Sequence, residues 1–150
     1  MEADEPGLDP GRLVRGAIAG LAGGFVFGMM LHMMSMMSMI AALVGASHVA
    51  VGWSLHLLLA ALFGAAYGAL VSTTSYARGL LRGVVWSLLL WLVGDVLAMR
   101  LMMGLSIAVD PSAVSSLVGH VAYGVALGVS SVALARQAEG TREAQGGVGA

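Results

Sequence analysis

The chain has no cysteine and no lysine, only three prolines in 150 residues, and charged side chains make up just 10% of it. Without cysteine there are no disulfides, no thiolate metal ligands and no cysteine nucleophile. Without lysine, no glycine-rich loop ends in the Lys-Ser or Lys-Thr of a phosphate cradle, and no HExxH run is present to hold zinc. A formal net charge of -1 gives no basic field, so nucleic acid is excluded as a partner. A chain that is 59% hydrophobic with so little charge cannot clothe a soluble domain in polar surface. The solvent it implies is the lipid bilayer.

What the chain does have is length of apolar sequence. About 20 apolar residues in a helix cross about 30 Å of hydrocarbon. Four such stretches are present, at about 13–44, 49–71, 80–103 and 113–134. The fold expected is all-α: a polytopic four-helix transmembrane bundle over residues 11–136. A disordered acidic tail (1–10, with Glu2, Asp4, Glu5 and Asp9) precedes it, and a disordered Gly-, Glu- and Gln-rich tail (137–150) follows. The acidic start lacks the positive charge of a secretory signal, so the first stretch reads as a retained span. No interrupted helix is apparent. The run Ser72-Thr73-Thr74-Ser75 is a plain loop, and Asp110-Pro111 marks a turn and helix start.

Charge placement gives a direction. Arg12 and Arg15 precede the first helix, Arg78 and Arg82 lie between the second and third, and Arg136 and Arg142 follow the fourth. The positive-inside rule then puts both termini in the cytoplasm, for a multi-pass protein of the cell inner (cytoplasmic) membrane. Arg100 alone falls toward the outer side, near enough to a helix end to snorkel to the interface.

Small residues four apart let helix backbones approach closely in lipid. Gly16, Gly20, Gly24 and Gly28 follow that spacing in helix one, Gly64 and Gly68 in helix two, and Gly124 and Gly128 in helix four. Continuing the same lines reaches His32, His56 and His120, while Gly83, Ser87 and Trp91 lead to Asp95 in helix three. Each helix therefore carries one ionisable residue on its close-packing ridge, and the four are expected to face one another. Burying charge in lipid costs at least a few kcal/mol, so these four residues are the candidate ligand or proton-relay site. His56 and His120 fall about 10 Å below the outer helix ends. His48, in the outer connection, is expected to be exposed. A faint duplication is also visible: Leu13-Val14-Arg15-Gly16 is echoed by Leu80-Leu81-Arg82-Gly83, so the bundle reads as two repeated helical hairpins.

Three functional readings follow. The first is a soft-metal site, since thioethers and imidazoles suit Cu(I), drawing on Met29, Met33, Met36, Met37, Met99 and Met103 beside His32. The second is a carrier of a small solute, ion or proton in which Asp95 and the histidines exchange protons, with a homo-oligomer or a membrane-protein partner completing the path. The third is a b-type haem held between His56 and His120. Against all three stands a purely structural subunit whose histidines and glycines serve helix packing. Ser87, Ser115 and Ser116 have no arranged base in the sequence, so a binding or transport protein is favoured over an enzyme.

The segments Val51-Gly52-Trp53-Ser54-Leu55-His56, followed by Gly64 and Gly68, and Gly119-His120-Val121-Ala122-Tyr123-Gly124, followed by Gly128, carry a resemblance. They resemble the paired His/Gly helices of small uncharacterised four-helix membrane proteins of bacteria and archaea. The likeness covers about residues 12 to 135. It implies the four-helix architecture and no particular activity.

Overall fold

The computed structural model describes residues 9–147 apart from Met103, Leu105, Ala108 and Asp110. The elements run α1 (Pro10–Met33), α2 (Met37–Ala42), α3 (Val49–Leu70) and α4 (Tyr76–Leu90). The last continues without a break as a π-helix (Trp91–Met99) and a single turn, α5 (Arg100–Met102), before α6 (Pro111–Gly147). Among the described residues four helical stretches are long and apolar enough to cross a membrane: Pro10–Met33, Val49–Leu70, Tyr76–Met102 and Pro111–Gly146. The fold is an all-α four-helix bundle. Large apolar side chains such as Val14, Phe25, Leu58 and Leu62 point outward around it, a surface suited to hydrocarbon and not to water.

Local chemistry sets the helix ends. Asp9 caps α1, its Oδ1 accepting from the Gly11 N–H at 2.8 Å, with Pro10 at the first helical position, where its missing N–H costs nothing. The other end of α1 departs from the sequence reading, which ran one helix to residue 44. At Ser35 the backbone turns left-handed (φ 59°), the Met36 N–H bonds the Leu31 carbonyl at 2.9 Å, and the Ser35 N–H bonds the His32 carbonyl at 3.0 Å. This closing motif satisfies the last carbonyls of α1 and ends it. α2 then starts on a new axis and stops at a second such turn on Gly45 (φ 72°). The 24 residues of α1 already span about 36 Å, so the extra apolar residues are free to fold across the bundle end.

The remaining ends differ less. His48, in the exposed connection, caps α3 through Nδ1, which accepts from the Ala50 N–H at 3.2 Å. At the far end of α3 the Arg12 guanidinium donates to the Gly68 and Ala69 carbonyls at 3.2 and 2.9 Å. Arg82 and Arg136 likewise donate to Ser72 O and Thr74 O in the non-helical connection between α3 and α4. Arg100, at the opposite end, does not snorkel outward; it is buried, and Nη1 donates to Ser106 O at 2.9 Å. Residues 137–147, read as a disordered tail, continue α6. The acidic N-terminal tail up to residue 8 and residues 148–150 lie outside the described residues, as does Asp110 of the expected turn.

Glycine decides how closely the helices cross. A Cβ on Gly16 or Gly20 would strike the Gly64 and Ala60 carbonyls of α3; one on Gly83 would strike the Gly124 carbonyl of α6 and come within 2.9 Å of Gly128 Cα. The two hairpins α1/α3 and α4/α6 thus use the same backbone-on-backbone contact. The repetition stops there. α1 and α6 also pack together, giving a row α3, α1, α6, α4, whereas α3 and the α4–π-helix span lack an interface of that kind. Near the arginine-bearing end a side chain closes the gap: Tyr67 of α3 donates its hydroxyl to Gly79 O at 3.2 Å and packs on Trp86. Toward the other end the two stand apart, and a cleft lies between them.

Candidate functional site

The cleft holds a cavity of about 450 Å³. α3 forms one wall with His56, Leu59 and Phe63; the π-helix forms the other with Val93, Gly94, Asp95, Ala98 and Met99. Phe27 of α1 and Ser116, His120 and Tyr123 of α6 make the floor, and the broken end of helix one roofs it with Met36, Met39, Ile40 and Leu43. The rim is exposed on both sides, with Phe63 at 40% and Val93 at 56%, so the cavity opens sideways onto the apolar surface of the bundle.

Asp95 lies at the middle of the π-helix, whose wider turn shifts the face a side chain presents relative to an α-helix. There its Oδ2 accepts from the Ser116 hydroxyl at 2.7 Å. The same serine links to His120. The His120 Nδ1–H donates to the Ser116 carbonyl at 3.0 Å, and its Nδ1 lies 3.5 Å from Ser116 Oγ. On the other wall the His56 Nε2–H donates to Gly24 O at 2.8 Å. Because a carbonyl can only accept, each hydrogen bond fixes which ring nitrogen carries the proton. In the uncharged ring the bare nitrogen is Nε2 of His120 and Nδ1 of His56.

Of the four ionisable candidates, His56, Asp95 and His120 line one cavity, and His32 does not join them. His32 is exposed beside Trp53, its ring centroid 6.1 Å away. The physical reason is the drift of a four-residue line around the helix, which by His32 has left the packed face. Asp95 bonds no histidine directly; Ser116 stands between. Nor do Asp95, Ser116 and His120 form a nucleophile and base, since the serine proton goes to the carboxylate and the nearest histidine nitrogen is itself a donor.

The methionines diverge as well. Met29 and Met33 face outward, Met33 at 80% exposure, while Met37 is buried with its carbonyl against Gly52. Met36 and Met99 line the cavity, and Met103 lies outside the described residues. Among the described residues no three His, Asp or Glu side chains converge on a metal position. The Phe27 ring packs edge-on against both His56 and His120, at 5.5 and 4.7 Å between centroids, and fills the space a porphyrin would need between them.

The glycines of the ridges sit at the crossings. Gly24 lies on Ala60, Gly28 on Trp53 and His56, Gly68 on Gly16, and Gly124 on Ser87. Ser116, Phe27 and Tyr123 complete the site, although none is among the candidate site residues the sequence suggests, and Ser116 enters there only as a serine without an arranged base. Ser116 was findable, being one turn before His120 on the same helix. Phe27 carried no such signal, since aromatic residues in apolar helices are ordinary. Comparison with protein-family models, curated proteins and solved structures gives no match to this chain.

Proposed function

We propose that this multi-pass protein lies in the cell inner membrane with its arginine-bearing end and both termini in the cytoplasm, and that its cleft binds a small, largely apolar molecule taken directly from the bilayer. One observation carries this reading: a cavity of about 450 Å³ between α3 and the π-helix, with exposed apolar rims and His56, Asp95 and His120 in its wall. Its volume falls in the range of about 300–1,000 Å³ common to small-molecule sites, as does its pattern of apolar lining with a few convergent polar groups. Closure of the arginine-bearing half by glycine crossings and the Tyr67–Gly79 bond favours binding over passage through this bundle. The likeness to small four-helix bacterial and archaeal membrane proteins is part of the same proposal and concerns architecture alone.

Native mass spectrometry of the full chain released from its own membranes tests the reading. A small-molecule adduct is expected on the wild-type protein and is lost in Ala98→Trp, where an exposed residue on the cavity wall is enlarged to fill it. A bare chain in both, or an adduct indifferent to Ala98→Trp, overturns it. Single cysteines at positions 2 and 145 report topology cleanly because the chain has no other thiol. Labelling of either by an impermeant maleimide on intact cells contradicts the orientation.

A further inference from the structure

The polar groups of the cleft are unbalanced in kind. Four of the lining side chains can donate a hydrogen bond, and each donor already has an acceptor within the protein. The Ser116 hydroxyl bonds Asp95 Oδ2, the His56 Nε2–H bonds Gly24 O, the His120 Nδ1–H bonds Ser116 O, and the Tyr123 hydroxyl bonds Ala60 O at 3.2 Å. What is left is acceptor capacity. Asp95 keeps Oδ1, and the uncharged histidine rings keep one lone pair each. Among the described residues Asp95 has no ion-pair partner; its one hydrogen bond is to a neutral hydroxyl. The aromatic side chains of Phe27, Phe63 and Tyr123 line the same space.

A carboxylate without a counter-charge, acceptors without free donors and aromatic rings in an apolar cleft describe the complement of one ligand chemistry. Resting on the reading that the cleft binds a molecule from the bilayer, we infer that this molecule is a lipophilic ammonium: an apolar body bearing a protonated amine. The amine donates to Asp95 Oδ1 and completes the ion pair that the carboxylate lacks, and the rings add cation–π attraction. An anion meets only lone pairs and a like charge. A neutral alcohol makes the hydrogen bond without the charge, and a charge-assisted bond is roughly twice as strong as a neutral one.

Three probes with one skeleton separate these cases: 4-phenylbutylamine, 4-phenylbutanol and 4-phenylbutyrate. Each is titrated calorimetrically into the full chain in lipid nanodiscs, with empty nanodiscs subtracted. The amine is expected to bind at least about tenfold more tightly than the alcohol, with the carboxylate weakest. Asp95→Asn, which keeps an oxygen for Ser116, should abolish the amine's advantage and leave the alcohol's affinity within about twofold. Ser116→Ala frees the second carboxylate oxygen without changing the charge, and should keep or tighten amine binding. Equal affinity of amine and alcohol, tighter carboxylate binding, or an amine preference that survives Asp95→Asn overturns the ammonium inference while leaving the cleft as a binding site. Loss of both amine and alcohol binding in Asp95→Asn and in Ser116→Ala alike makes Asp95 a purely structural group, which also overturns it. If none of the probes binds above empty nanodiscs, the binding reading itself fails.

Discussion

Replacing Gly64 by alanine adds one methyl group at the crossing of α1 and α3, and the structure leaves no room for it. The new Cβ would strike the Gly16 carbonyl and stand 2.5 Å from Gly20 Cα and 2.8 Å from Gly20 N, all backbone atoms that cannot swing aside. Restoring ordinary contact needs the helices to separate by about 1 Å, which forfeits a quarter to a half of each dispersion contact's roughly 0.1–0.2 kcal/mol. Over on the order of 40 atom pairs that loses about 1–4 kcal/mol. Alanine returns up to about 1 kcal/mol through its better helix propensity. The net expectation is a destabilisation of about 1–3 kcal/mol, the range typical of an overpacked core. Gly94→Ala is the control, because a Cβ there meets nothing within 4 Å, and it should be neutral or slightly stabilising. The assay is SDS titration of the bundle in mixed micelles, followed by circular dichroism. Equal stability of Gly64→Ala and Gly94→Ala would mean that α1 and α3 do not approach backbone to backbone.

Other perturbations probe the remaining joints. Ser35→Gly removes the Cβ from a left-handed residue and should gain about 0.5–1 kcal/mol, while Ser35→Val should lose at least about 1 kcal/mol; the same titration decides, and no difference between the two would argue for a continuous helix through residue 44. Tyr67→Phe deletes the hydroxyl bond to Gly79 O, one of the ties between α3 and α4, at a cost of about 0.5–1.5 kcal/mol. The acceptor is a backbone carbonyl that no side-chain change removes, so the single variant is the test, and unchanged stability in the same titration would mean the bond contributes nothing. Met33→Gln, on an outward-facing side chain, should leave ligand binding in the cleft unchanged, whereas Met99→Gln should alter it; equal effects would contradict the assignment of Met33 to the outer surface.

That four helices are long and apolar enough to cross a membrane is legible in the residues alone, because hydrocarbon demands long apolar runs with every backbone group bonded within the helix. The four-residue glycine spacing was equally legible, being a local property of helix geometry. The break at Ser35 was not. The motif needs one residue in a left-handed conformation, and a serine among methionines gives no sign of adopting it. The π-helix that aims Asp95 at Ser116 was hidden for the same reason, since an apolar run reads alike in either winding. Which ionisable residues meet depends on how the helices pack. The ridge lines that placed His32 with His56, Asp95 and His120 ignore helix drift and crossing angle, and over four turns those accumulate enough rotation to turn His32 outward. The cleft is a tertiary feature as well. It exists because α3 and the α4–π-helix span do not pack as α1 and α6 do, a fact about relative position that no single helix encodes.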